Sequence, residues 1–295
     1  MTYLVVGVVS HAGSRFESNC GPDGFAHALA RALTDLAVAC EVRVNTADEH
    51  DPDRLPIDGP LVHASLDAEF GLEAQWAAYL AAGGGRQPRP WDGAYRALRR
   101  LRARWRLERG TQPGVASDAG ARMVRRLVNI ELSHRRLLRA GVESGAPWIL
   151  ILEDDACCAD IADCATGLAG LFETPGPAPA YINLSQSFTA QRLGIDGLLH
   201  PATEAAWRGR EERKILASHR PVTNTVCAIA YRRAFAEQLL TAFELMPMTP
   251  VVPIDWKLNA ALMAMHDKGA LGEGDCWLVE PAPMIQRSMH QVSAL

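Results

Sequence analysis

Residues Trp148–Cys158 read WILILEDDACC, in which five bulky apolar positions run straight into Glu153, Asp154 and Asp155. The run is short and apolar on both faces, the composition of an interior strand in a parallel sheet rather than of a half-exposed one. Three carboxylates at its end are costly, because two like charges about 6 Å apart repel by roughly 3 kcal/mol at an effective dielectric near 20. Solvent, a cationic side chain or a divalent ion with oxygen ligands must offset that repulsion. If strand geometry persists past Leu152, side chains alternate, so Glu153 and Asp155 share one face and Asp154 takes the other. A plainer use is also open: Asp154 or Asp155 as the N-cap of a helix starting near Ala156.

Working outward, YLVVGVV (3–9) reads as a first buried strand. GFAHALARALTDLA (24–37) spaces Phe25, Leu29, Leu33 and Leu36 at helical intervals, and CEVRVNT (40–46) alternates as a strand. This β-α-β opening predicts an α/β protein built on a mixed, mostly parallel sheet flanked by helices, with residues 1–295 as one domain. A helical pattern covers 119–142, and Gly145-Ala146-Pro147 ends the connection before the acidic strand. Downstream, ADIADCATGLAGLF (159–172) reads as a helix, and PGPAPAYINLSQS (175–187) as a loop into a strand. NTVCAIAYRRAFAEQLL (224–240) reads as strand then helix, PIDWKLNAALMAM (253–265) as a helix, and CWLVEPAPMIQRSMH (276–290) as a last strand with an extended tail.

Between 48 and 118 the pattern loosens around DEHDPDRLPIDGP and AAGGGRQPRPWDG, which predicts an insertion or mobile loop. Within it lies YRALRRLRARWRLERG, with Leu98, Leu101 and Trp105 on one helical stripe and arginines over the rest. Three uses are open to this segment: a helix packing its stripe on the core, a peripheral contact with anionic lipid through residues 96–109, or a contact with a phosphorylated substrate.

A net charge of −4 gives no global pull toward nucleic acid or anionic lipid. No apolar run approaches the roughly 20 residues of a membrane span. Seven cysteines, an odd number without a CxxC pair, point to a reduced cytoplasmic setting, with attachment at the cytoplasmic membrane face left open by the arginine segment. Neither a Walker A motif nor GxGxxG is present, so a glycine loop does not grip phosphates, and a metal-bridged diphosphate is the remaining common solution.

With those residues on the page, LSHRRLLRAGVESGAPWILILEDDA resembles the signature of family 25 glycosyltransferases, the lipopolysaccharide and collagen-type galactosyltransferase group. Weaker matches follow in order in NTVCAIAYRRAFAEQLL, PIDWKLN and EPAPMIQRS, so the resemblance covers roughly 119–290. The N-terminus departs from the family's opening Asn-Leu and paired arginines, with only Arg15 near that position. The resemblance implies a GT-A-like fold and an inverting transfer from a nucleotide-sugar donor, a UDP-sugar first among them, to a saccharide or glycolipid acceptor. It implies Mn²⁺ (or Mg²⁺) on Asp155, with Glu153 and Asp154 at the donor, and Asp255 as the general base that deprotonates the acceptor hydroxyl. A helix start would help keep Asp255 ionised; a simple N-cap is its other use. Ser133 and His134 become donor-site residues, with core packing as the alternative for the imidazole, and His290 becomes a late metal ligand or else an exposed tail residue. His11 and Arg15 follow the first strand where a nucleotide would lie, and Asn183 and Ser185 are acceptor-pocket candidates; each of these also suits a structural role. Two other classes compete: a nucleotidyltransferase of similar sheet, and a non-catalytic binding module that keeps the same architecture.

Overall fold

The computed structural model describes residues 2–11, 14–46, 51, 53, 55–108, 114–174, 179–202, 205–223, 225–246 and 251–288. In chain order the elements are β1 (Thr2–Val9), α1 (Phe25–Asp35), β2 (Val38–Asn45), α2 (Gly59–Ala82), α3 (Asp92–Glu108), α4 (Asp118–Glu143), β3 (Trp148–Glu153), β4 (Ala156–Cys157) and α5 (Ile161–Phe172). They continue with β5 (Tyr181–Asn183), α6 (Ala190–Leu193), β6 (Leu199–Pro201), β7 (Lys214–Ser218), β8 (Ala228–Arg232), α7 (Arg233–Leu245), α8 (Ile254–Asp267), β9 (Cys276–Glu280) and β10 (Ile285–Gln286).

Eight strands form one sheet in the order β2-β1-β3-β8-β5-β9-β7-β6. β1 pairs in parallel with both β2 and β3, while β8 and β7 run against the other strands. The architecture is therefore α/β, a mixed and mostly parallel sheet flanked by helices, compatible with a Rossmann-like arrangement. β1 has its successor β2 on one side and β3 on the other, so the sheet changes winding direction between β1 and β3, and a crevice opens at their carboxyl ends.

Side-chain alternation along β3 divides the core in two. Ile149 and Ile151 face a cluster with Leu137 and Leu138 of α4 and Leu239 of α7, while Trp148, Leu150 and Leu152 face Leu29 of α1 and Leu168 of α5. Each fully buried large aliphatic side chain contributes about 1.5–3 kcal/mol, so this one strand anchors both layers. Helix α4 seats closely because Gly141 lacks a side chain: a Cβ there would meet Ile149 Cγ1 at 2.6 Å. By the same alternation Glu153 emerges on the α4 side of the sheet.

Several sequence expectations change. The helix read over 159–172 runs from Ile161 to Phe172 rather than starting near Ala156, and Asp160 caps it by accepting from the Asp163 N–H at 3.0 Å. Residues 156–157 are extended instead because they pair with Ile285 and Gln286 of β10. Asp154 and Asp155 are thus not helix caps. The expected loop over 48–118 contains the 24-residue helix α2, capped by Asp58, whose carboxylate accepts from the Leu61 N–H at 2.8 Å. Its periodicity is weak because α2 is contacted on several sides, with α3 over one flank and α4 and α8 over others, so apolar residues ring the helix without forming a stripe.

Helix α3 exists, but its stripe does not pack on the core. Leu98, Leu101 and Trp105 are 64%, 64% and 59% exposed, while Arg99, Arg100 and Arg104 turn inward to Glu73 and Asp67 of α2. Strands β6 and β7 are present without having been anticipated. Among the described residues, no helix is long and apolar enough to cross a membrane, and all seven cysteines are free thiols.

Candidate active site at the carboxyl ends of β1 and β3

Two adjoining cavities open at this end of the sheet. The first, about 590 Å³, is lined by Ser10, His11, Ser14, Arg15 and Phe16 after β1, by Arg126 and Ile130 of α4, by Glu153, Asp154 and Asp155, and by Gln286 and Ser288. The second, about 620 Å³, shares Arg126, Ile130, Glu153 and Gln286, and adds Arg122 of α4, Ser187, Phe188, Thr225 and Asp255. Glu153 therefore stands on the boundary between the two spaces.

The acids are held individually. The Asp154 N–H donates to the Val9 carbonyl at 3.0 Å, its carbonyl accepts from Asn19 Nδ2 at 2.7 Å, and its carboxylate accepts from Ser10 Oγ at 2.7 Å. Those bonds lock the acidic turn to β1 and leave Asp154 a positioning residue. Glu153 and Asp155 stay closer to each other: with Cys227 they bring ligand atoms within 4.8 Å of one another. Gln286 Nε2 donates to Glu153 Oε2 at 3.2 Å, Ser288 Oγ donates to Asp155 Oδ2, and the Arg287 N–H donates to the Asp155 carbonyl at 3.0 Å. Residues 285–288 are thus a strap across the acids, held further by Ser187 Oγ donating to Gln286 Oε1 at 2.8 Å.

Burial, and then the carboxylates of Asp155, Asp255 and Asp154, push the Glu153 carboxyl up to about 8, opposed by the Arg126 guanidinium. Left alone, Glu153 would therefore be mostly protonated at neutral pH. A bound divalent cation would reverse that, and the donor set fits one: Glu153 and Asp155 offer hard oxygens with mutual repulsion to relieve. Burial likewise raises Asp255, against the backbone N–H groups of Trp256 and of Asp255 itself at the α8 start. The help expected from the helix start in keeping Asp255 ionised is outweighed by desolvation. Nor is Asp255 an N-cap: Pro253 occupies that position and no side chain caps the helix. Helix α8 is fixed from below by a buried ion pair, Lys257 Nζ to Glu131 Oε1 of α4 at 2.6 Å, and by Asn259, which exchanges hydrogen bonds with the Thr223 backbone.

Of the residues singled out from sequence, His11, Arg15, Glu153, Asp154, Asp155 and Asp255 come together around these cavities. Ser133 and His134 do not: both are buried within α4, line neither cavity, and Ser133 Oγ and His134 Nε2 have no hydrogen-bond partner among the described residues. Burial lowers the His134 pKa to about 4, so its imidazole is a neutral core group. Asn183 and Ser185 are corrected too, because their polar atoms are consumed by the fold. Thr223 Oγ1 donates to Asn183 Oδ1 at 2.9 Å and Asn183 Nδ2 donates to the Val222 carbonyl at 3.2 Å, while Ser185 Oγ accepts from the Ala228 N–H at 2.9 Å. The void they border is only about 10 Å³. His290 lies outside the described residues.

The residues missed from sequence are Ser10, Asn19, Arg122, Arg126 and Gln286. Arg122 and Arg126 carried a readable signal, since with Ile130 they repeat every four residues and so share one helix face. Neither arginine makes an ion pair among the described residues, which leaves both cations facing the cavities. No family model matches the chain, and no curated protein does.

Proposed function

We propose that the protein is a metal-dependent inverting glycosyltransferase with a GT-A-like fold, moving a sugar from a nucleoside-diphosphate donor to a saccharide or glycolipid hydroxyl. The observation that carries this reading is Glu153, placed between two cavities and raised by burial and by the carboxylates around it. The first cavity pairs oxygen donors for a cation with Arg15 and Arg126, a charge arrangement suited to a diphosphate. Its position at the β1–β3 crevice is where an open α/β sheet receives a nucleotide. The resemblance of residues 119–290 to family 25 glycosyltransferases supports the same reading.

Asp155 and Glu153 would hold Mn²⁺ or Mg²⁺. Bound there, the ion supplies Lewis-acid stabilisation of the departing nucleoside diphosphate. Arg126 and Arg15 orient the phosphates and add positive charge where negative charge develops. In the second cavity Asp255 takes the proton of the acceptor hydroxyl, and its burial-raised pKa brings it nearer the operating pH, as a general base requires. Phe188, Met123 and Ile254 offer apolar surface to a sugar ring beside that base.

A thermal-shift screen of nucleoside-diphosphate sugars, with and without Mn²⁺, tests this reading. The expected result is stabilisation by one donor class only when the ion is present. Stabilisation by a nucleoside triphosphate alone, with pyrophosphate released on turnover, would favour a nucleotidyltransferase, and no metal-dependent response at all would leave a binding module.

A further inference from the structure

We infer that the outer face of α3 is a docking surface for an anionic phospholipid bilayer. Trp91, Tyr95, Leu98, Leu101 and Trp105 follow one another at helical spacing, and each is between 59% and 64% exposed. Half of the large apolar side chains that the described structure leaves exposed thus lie on or beside this one helix, in a single stripe. The helix is turned inside out relative to the usual arrangement. Its opposite face carries charge onto α2, with Arg100 Nε donating to Asp67 Oδ1 at 2.7 Å and Arg99 Nη1 donating to Glu73 Oε1 at 3.0 Å. Orienting three arginines toward α2 holds the apolar stripe outward.

Charge selects the occupant. Arg102 stands four residues after Leu98, within the stripe, and Arg106 beside it; both are exposed and, like Arg96, make no ion pair among the described residues. A second copy of the same face would oppose these guanidinium groups to each other, which disfavours a homodimer. A soluble phosphorylated ligand needs a concavity, and the stripe is convex helix surface. A nucleic acid would use the arginines but leave Leu98 and Leu101 without a partner. An anionic membrane surface uses both: aromatic and leucine side chains enter the headgroup boundary while Arg102 and Arg106 meet phosphates. With 17 residues, α3 presents about 25 Å of such surface lying flat. This inference does not depend on the proposed reaction.

The test is co-sedimentation of the full chain with vesicles of phosphatidylcholine alone and of phosphatidylcholine mixed with phosphatidylglycerol, at low and high salt. Binding to the mixed vesicles, weakened by salt, is expected, with little binding to the neutral ones. Leu98→Ser/Trp105→Ser and, separately, Arg102→Glu/Arg106→Glu should each weaken that binding by about tenfold or more. Leu245→Ser, at an apolar residue exposed elsewhere on the molecule, should leave it unchanged. All these positions are exposed, and unchanged thermal melting checks that each variant folds. Absence of binding to the mixed vesicles would overturn the inference, as would binding that neither paired substitution alters. So would sedimentation analysis showing a dimer that Leu98→Ser/Trp105→Ser converts to monomer.

Discussion

The end of β3 and the helix α3 both crowd like charges along a short stretch of chain, and the fold treats them in opposite ways. At β3 the apolar residues go inward and the acids stop at a cavity mouth, where Ser10, Gln286 and Ser288 hold them one by one. In α3 the charges turn toward a neighbouring helix and the apolar residues face out. The difference is what surrounds each segment. β3 has packed layers on both sides, whereas α3 packs on one side, mainly against α2, among the described residues. Charge left over after packing therefore marks the candidate site at β3 and the proposed docking surface at α3.

The largest effect should come from removing the charge that the β3 end concentrates. Asp155→Asn should lower the rate of sugar transfer by about 10³, the scale of losing one strong electrostatic contact to the transition state, as read by initial rates with the donor found in the screen. Rates within a factor of a few of the parent would place the reaction elsewhere.

Next comes a contrast between buried and exposed pairs. Lys257→Ala leaves the buried Glu131 carboxylate with only the longer 3.4 Å contact to Arg135 in place of its 2.6 Å ion pair, and should cost up to about 3–5 kcal/mol in urea unfolding. Asp67→Asn, at the exposed α2–α3 pairs, should barely move the same midpoint. Equal losses would mean that the two regions do not differ in burial as described.

A third prediction separates the regions by pH. Between about 4.5 and 8 the unfolded chain ionises Glu153 while the folded protein keeps it protonated, so this group makes stability fall as pH rises through that window. His134 acts in the other direction at lower pH. Below 6.5 the unfolded imidazole gains a proton that the buried one resists until about 4, so stability falls as pH drops, by up to about 3 kcal/mol. Urea unfolding across pH should lose the first slope in Glu153→Gln and the second in His134→Leu. Added Mn²⁺ should flatten the Glu153 slope alone.

The same contrast explains what was legible in the sequence. β1, β3, α4 and the acidic turn were readable because their residues have one dominant burden, burial on both faces or on one stripe, and periodicity records it. Helix α2 was hidden because it is contacted on several flanks and its apolar residues have no single side. The stripe of α3 was found but its side was left open, since periodicity shows that a face exists and not which face the fold covers. Glu153, Asp155 and Asp255 were picked out and line the cavities, whereas Asn183 and Ser185, expected at an acceptor pocket, bond to the fold, because a polar residue at a strand end serves a ligand or the backbone equally well. Ser10 and Gln286 were out of reach: each is defined by a partner more than a hundred residues away in the chain.

The central claim is that Glu153 and Asp155 form a divalent-cation site that a nucleoside diphosphate completes. Titration of the protein with Mn²⁺, followed by the loss of the free-ion paramagnetic resonance signal in the absence and presence of UDP, tests it most directly. The account predicts binding of one ion, tightened by UDP and lost in Asp155→Asn. Equal Mn²⁺ affinity in the parent and Asp155→Asn, unaffected by UDP, would contradict it.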